Sequence, residues 1–232
     1  MSELLLIAHR GASRLFTENS MEAFVSAYNF GATHVETDVR MTSDGQLILF
    51  HDPVTTRFDG KPNFVSNVEY NYIKKIKLPK GERIVRLDEL LEFLKKNNFK
   101  AILEIKVRGV EKETVKLVRN YNLLDNVLFW SFNHESIKCI HELCGDSVSK
   151  AILLTIRPWN KYKILKRVKE CGADYLYPVY RNVDFDFFHH HKTKTVKYSN
   201  YRFRIHKFID KGCSGIMTDD MEIIKDFAEG KL

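Results

Sequence analysis

Four short segments of this chain end in side chains that can move protons, hold cations or bind anions. The stretch from Leu4 to Ala8 leads into His9 and Arg10, and residues 34–40 carry Glu36 and Asp38. Residues 47–51 end in His51, and 101–103 lead into Glu104 and Lys106. Three carboxylates (Glu36, Asp38, Glu104) suit a hard divalent cation such as Mg2+ or Ca2+, which prefers oxygen ligands. Two histidines beside them suit general acid and general base work, because imidazole titrates near neutral pH. Arg10 and Lys106 supply positive charge for an anionic group, arginine through a planar fork that matches phosphate oxygens. Together the set describes attack on a phosphodiester, with cations stabilising the charge that develops. Any one of these residues alone reads as a satisfied structural polar group. The signal is that four segments end the same way.

The elements that position them follow from periodicity. Strand-like apolar runs fall at 4–9, 34–40, 47–51, 101–106, 127–132, 150–156, 173–178, 194–199 and 215–219. Amphipathic stretches lie between most of them, as at 88–96, where Leu87, Leu90, Leu91 and Leu94 share one face, and at 111–121. Gly31, Gly172 and Gly212 each stand at a helix end just before a strand, where glycine supplies a left-handed cap. Strands alternating with helices predict a parallel sheet. Repetition over 232 residues predicts a closed (β/α)8 barrel of the TIM type occupying 1–232 as one domain. Charged residues at the C-terminal ends of barrel strands mark the active site in that architecture.

One connection departs from the alternation. Between residues 34–40 and 47–51 there is room only for a tight turn at Asp44-Gly45, which predicts an antiparallel hairpin within 34–51. With a two-residue loop, Asp38 faces His51 directly and Glu36 shares their face. Val35, Thr37, Val39, Met41, Ile48 and Phe50 then form the opposite face, toward helices, and Glu104 joins from across the barrel. The stretch 52–83 lacks a clear strand and is expected to pass over the barrel mouth.

Bulk properties exclude more than they assign. No apolar run is long enough to span a bilayer, and the first residues run straight into a polar motif without a basic leader, so no membrane insertion and no signal peptide are expected, and reduced cysteines make the cytoplasm the default location. Cys139, Cys144, Cys171 and Cys213 have neither metal-site spacing nor disulfide density and read as reduced thiols. A net charge of +7 favours an anionic partner. The lysines and arginines from Lys192 to Lys211 read as a solvated face, and no nucleic-acid motif accompanies them. His189-His190-His191 read as surface histidines on a helix whose Phe185, Phe187 and Phe188 pack on the barrel.

The motifs in order are Ile-Ala-His9-Arg10-Gly11, Glu18-Asn19, Glu36-Thr-Asp38, Asp44-Gly45, His51-Asp52 and Leu-Glu104-Ile-Lys106. Trp130-Ser131-Phe132-Asn133 and Gly215-Ile-Met-Thr218-Asp219 follow. This pattern resembles the glycerophosphodiester phosphodiesterase family over nearly the whole chain. The resemblance implies His9 and His51 as the acid/base pair and Glu36, Asp38 and Glu104 as metal ligands, with Glu18 as a further metal-side or supporting residue. It implies Arg10 as a phosphate ligand, with Arg57 binding substrate or bracing its loop. One divalent cation, Mg2+ or Ca2+, is implied, and the substrate is a small anionic phosphodiester cleaved to sn-glycerol 3-phosphate and an alcohol. Thr17 and Ser20 replace the family's usual proline and threonine around Glu18-Asn19. Lys197-Tyr198-Ser199-Asn200 stands where the family reads Trp-Thr-Val-Asn, which puts Lys197 in the pocket and predicts a more anionic substrate. A lysophospholipase D built on the same site is the nearest alternative. A phosphate- or nucleic-acid-binding protein on a relic barrel is another, disfavoured because binding alone has no need of both histidines.

Overall fold

The computed structural model describes residues 4–155, 160–179 and 183–232. Ile156, the last residue of the strand expected over 150–156, lies outside the described residues. Nine strands form among the described residues: β1 (Leu5–Ala8), β2 (His34–Met41), β3 (Leu47–Leu49), β4 (Lys100–Ile105), β5 (Val127–Ser131), β6 (Ser149–Leu154), β7 (Tyr175–Pro178), β8 (Lys194–Tyr198) and β9 (Gly215–Thr218). All pair in parallel except β3, which runs antiparallel to β2. Pairing of β1 with both β9 and β2 closes the sheet into an eight-stranded parallel barrel of the TIM type. Helices follow the barrel strands, among them Met21–Asn29, Leu87–Asn97, Glu111–Asn120 and Arg202–Asp210. Gly31, Gly172 and Gly212 take positive φ after helices, as the sequence predicts.

Alternation along each strand separates two apolar layers. Val35, Val39, Leu103 and Phe129 face the helices, where Leu87, Leu90, Leu91 and Leu94 meet them. Ile7, Ile102, Leu128, Trp130, Leu153, Tyr177 and Met217 fill the interior. On β2 the inward positions are instead Glu36 and Asp38, each 1% exposed. The inner packing is therefore apolar over most of the barrel and carboxylate-bearing at one point.

The hairpin register differs from the sequence expectation by one residue. Val39 pairs with Leu49, Arg40 with Ile48 and Met41 with Leu47, so Asp38 stands opposite Phe50 and not His51. The cause is a three-residue loop, Ser43-Asp44-Gly45. Thr42 N–H donates to the Gln46 carbonyl and Gly45 N–H to the Thr42 carbonyl, both at 3.0 Å. The Thr42 hydroxyl donates to Asp44 Oδ1 at 2.5 Å and accepts from Gln46 N–H at 3.1 Å, which favours the longer loop. Gly45 takes φ +81°, the left-handed position that such loops require. A one-residue slip exchanges the faces of a strand. Leu47 and Leu49 accordingly pack with the helices, whereas Ile48 and Phe50 turn to the mouth. There Val65, Ile73, Ile76, Leu78 and Ile84 of the 52–86 excursion cover them. His51 follows the end of β3, and the Arg40 guanidinium holds its carbonyl at 2.7 and 3.1 Å.

Two glycines with similar φ separate strain from space. A Cβ on Gly45 would meet nothing within 4 Å, whereas one on Gly11 (φ +80°) would lie 2.8 Å from the Ala23 backbone. Gly45→Ala is expected to cost about 1 kcal/mol, the left-handed penalty alone. Gly11→Ala is expected to cost roughly 3 kcal/mol or more, because it adds overpacking beside His9-Arg10. Urea unfolding of the two variants measures the difference, and equal costs would refute it.

Candidate active site

β2 and β4 are direct neighbours, with Asp38 aligned to Glu104 and Glu36 to Ile102. Glu104 therefore comes from the adjacent strand and not from across the barrel, because β3 occupies only the other edge of β2 beyond its pairing with β1. Carboxylate oxygens of Glu36, Asp38 and Glu104 all lie within 4.8 Å of one another, and all three residues are buried. Three ionised carboxylates so close and so dry repel one another unless cations compensate. Burial and neighbouring Asp38 raise Glu36 to about 8, and the same two causes raise Glu104. For Asp38, burial opposes ionisation, but Arg10, Lys106 and a hydrogen bond from Asn19 outweigh it and lower the pKa. Lys106 Nζ lies 2.8 Å from Glu104 and 3.4 Å from Asp38, and Arg10 Nε lies 3.4 Å from Asp38. Two protein cations thus face three carboxylates, and the oxygen donor set fits a hard divalent ion.

The loop after β1 braces this group. Arg10 adopts φ +55° and Asn19 φ +58°, strained positions of the kind that concentrate at functional sites. In return Arg10 N–H donates to Glu36 at 3.0 Å, and Asn19 Nδ2 donates to Asp38 at 2.9 Å while Thr37 donates to Asn19 Oδ1 at 2.6 Å. Glu18 lies outside the three-carboxylate group. Its carboxylate accepts from Arg10 at 3.1 Å and from Arg57, which also contacts Asp52 at 3.0 Å.

Both histidines carry the same device. His9 Nδ1 is 2.7 Å from Asp219 and His51 Nδ1 is 2.8 Å from Asp52. A carboxylate on Nδ1 fixes the ring and leaves Nε2 for chemistry. The His9 Nε2 lies 4.0 Å from Glu36. For His9, burial disfavours the charged ring, but the Asp219 hydrogen bond and Glu36 outweigh it and raise the pKa. For His51, burial outweighs Asp38 and Asp52, and the pKa falls. Asp219 is shared further: Tyr198 and Asn200 donate to its other oxygen, and Asn200 Oδ1 accepts from Asp219 N–H at 2.9 Å.

Lys197 is placed differently from its expectation. Its ammonium donates to the Pro178 carbonyl at 2.8 Å, while Tyr198 is the β8 residue that meets His9, ring to ring at 5.5 Å. Inward and outward positions alternate on a strand, so Val196 and Tyr198 face the interior and Lys197 does not. The sequence reading quoted Asp219 in a motif but missed it as a site residue. The available signal was a carboxylate at the C-terminal end of a strand, the same signal that singled out Glu104. Trp130 and Tyr177, stacked at 5.2 Å, belong to the apolar interior packing, and the Trp130 Nε1 has no hydrogen-bond partner among the described residues.

An acidic and histidine-bearing cluster at the C-terminal ends of the strands of a TIM barrel defines an enzyme of that fold. Residues 9–223 match the Glycerophosphoryl diester phosphodiesterase family, and the chain belongs to that family. It is 30% identical over 239 residues to the glycerophosphodiester phosphodiesterase of Caldanaerobacter subterraneus subsp. tengcongensis, covering 95% of this chain and 96% of that one. Two solved structures are similar in fold. A glycerophosphodiester phosphodiesterase from Thermotoga maritima superposes with TM-score 0.82 at 21% identity, covering 98% of this chain and 99% of that one. An Oleispira antarctica phosphodiesterase, in complex with the product sn-glycerol-3-phosphate, superposes with TM-score 0.83 at 20% identity, covering 97% and 96%. No helix among the described residues is long and apolar enough to cross a membrane.

The His9–Asp219 pair has a defined pH window. Asp219 is held well below the usual carboxylate range: burial opposes this, but hydrogen bonds from His9 and Tyr198 outweigh it. Its stabilising contribution is present above pH ~4 and lost as pH falls, whereas that of His9 is lost as pH rises through its raised value. In EDTA, Asp219→Asn is expected to lower the His9 titration midpoint by NMR. The stability gap to wild type should be widest near pH 5–6. An unmoved His9 midpoint would show that Asp219 does not set its charge.

Proposed function

We propose that the chain is a metal-dependent hydrolase that cleaves glycerophosphodiesters to sn-glycerol 3-phosphate and an alcohol, working as one catalytic domain over 1–232. The observation that carries this reading is the pair of carboxylate-oriented histidines flanking Glu36, Asp38 and Glu104. The sn-glycerol-3-phosphate complex of the Oleispira antarctica protein supports the product class. Glu36, Asp38 and Glu104 would hold one divalent ion, Mg2+ or Ca2+, which supplies positive charge for the phosphoryl oxygens when bound. Arg10 and Lys106 add fixed cations beside it, and Arg57 closes the rim through Glu18 and Asp52.

The settings of the two rings divide the work. His51, lowered, takes the proton of the attacking hydroxyl, either of water or of the neighbouring glycerol carbon; in the second case a cyclic phosphate forms and a water then opens it to sn-glycerol 3-phosphate. His9, raised by its hydrogen-bonding carboxylate, gives its proton to the alkoxide as the P–O bond to the alcohol breaks. A lysophospholipase D activity on the same site has one observation in its favour. Leu15, Phe132, Val179, Tyr201 and Phe203, all exposed, follow the C-terminal ends of β1, β5, β7 and β8, so apolar groups rim the mouth.

His9→Ala and His51→Ala are each expected to lower kcat by roughly 10²- to 10⁴-fold on glycerophosphocholine, with sn-glycerol 3-phosphate as the assayed product. Retained turnover in both variants would remove the acid/base assignment. Faster turnover of lysophosphatidylcholine by the wild type would favour the lipid reading. Metal binding has its own readout. Mg2+ or Ca2+ at a hundredfold excess over Kd is expected to stabilise EDTA-treated wild type by about 2.7 kcal/mol. Glu36→Gln/Glu104→Gln should show no such thermal shift, and an equal shift in that variant would place the ion elsewhere.

A further inference from the structure

Tyr198 belongs both to the catalytic cluster and to the lining of a second space. Its hydroxyl donates to Asp219 and its ring meets His9. The same residue lines a cavity of about 640 Å3, within the size range of small-molecule pockets. Arg14 from the loop after β1, Lys197 from β8 and Arg204 from the helix Arg202–Asp210 line it, together with Val179, Asn200 and Tyr201. No aspartate or glutamate lines it among the described residues. The Asp220 carboxylate reaches Arg14 at 2.9 Å from outside the cavity, and the Lys197 ammonium donates to the Pro178 carbonyl at 2.8 Å.

The three aromatic groups that line it are already engaged. Tyr198 is tied to Asp219, Phe208 packs on Phe185 with ring centroids 5.5 Å apart, and the Arg204 guanidinium lies 4.9 Å from the Tyr201 ring centroid. The Tyr201 face that would otherwise help to cage a quaternary ammonium group is therefore covered by a cation. A choline-type alcohol entering this space would meet positive charge, whereas a phosphate or carboxylate would meet arginine forks suited to it.

We propose that this cavity receives the alcohol half of the diester and selects alcohols bearing a further phosphate or carboxylate, with Arg14 and Arg204 as specificity-determining residues. This rests on the reading of the adjoining site as a glycerophosphodiesterase. His9, which meets Tyr198 in the shared wall, is the residue assigned to protonate the departing alkoxide, so the leaving group belongs on this side of the cluster.

The test compares a matched pair, glycerophosphoinositol and glycerophosphoinositol 4-phosphate, with glycerophosphocholine as the cationic case. The kcat/KM of wild type is expected to favour the 4-phosphate over its unphosphorylated partner by about tenfold or more, the scale of one charge-assisted hydrogen bond. Glycerophosphocholine should be the poorest of the three, and rising NaCl should shrink the preference. Arg204→Ala and Arg14→Ala should each reduce the 4-phosphate preference to within about threefold of unity. Both side chains are exposed, and thermal melts will verify folding of each variant. A wild-type ratio near one, a preference for choline, or a ratio unmoved by both substitutions would overturn the subsite. Failure to hydrolyse any of the three with Mg2+ or Ca2+ present would instead overturn the glycerophosphodiesterase reading, and the subsite with it.

Discussion

Everything at the mouth of this barrel is arranged around the mutual repulsion of three buried carboxylates on two adjacent strands. Glu36, Asp38 and Glu104 occupy inward positions that the neighbouring strands fill with isoleucine, leucine and tryptophan. An apolar barrel interior penalises each charge separately, and proximity adds to the penalty. Arg10 and Lys106 offset it around Asp38 and leave Glu36 raised. That residual deficit of positive charge is what fits the cluster to a cation in the proposed function, and through it to an anionic group.

The strained loop after β1 follows from the same constraint. A carboxylate group near its tolerable charge limit is held in geometry by fixed donors: Arg10 N–H on Glu36 and Asn19 on Asp38. Both donors come from residues with left-handed backbone angles, and Gly11 between them has no space for a Cβ. The local conformational cost is offset by hydrogen bonds to ionised or ionisable oxygens, which are stronger than neutral ones. Glu18, between Arg10 and Arg57, ties the excursion over the mouth to this loop.

How much of this was legible in the sequence depends on which physical rule sets each feature. Each strand was visible because the apolar runs of a buried parallel sheet are long and their helices amphipathic, as with Leu87, Leu90, Leu91 and Leu94. The chemistry-bearing residues were visible because charged types at strand ends stand out against such runs. The hairpin register was not, because Asp-Gly serves both two- and three-residue loops, and the Thr42 hydroxyl decides between them. Nor was the adjacency of β2 and β4, since a peripheral β3 in sequence order suggests a neighbour that the barrel does not use. Lys197 points away from the barrel interior, as strand alternation from the apolar Val196 requires, and reaches instead the cavity that Arg14 and Arg204 line.

Barrel closure has a further consequence for the site. β1 and β9 pair from Leu5 with Gly215 to Ala8 with Thr218, so the next residues on each strand are His9 and Asp219. The His9–Asp219 contact joins positions 210 residues apart and forms only when the last strand docks on the first. His51–Asp52, by contrast, is local and is placed by the hairpin through the grip of Arg40 on the His51 carbonyl. One ring therefore depends on the completed fold and the other on a local turn. The hydrogen bond to Asp219 that raises His9 is thus conditional on closure, whereas that of His51 is not. Long-range contacts of this kind are slow to form because loop closure precedes their reward. In the proposed function, coupling the raised histidine to the last strand makes a competent site and a closed barrel the same event.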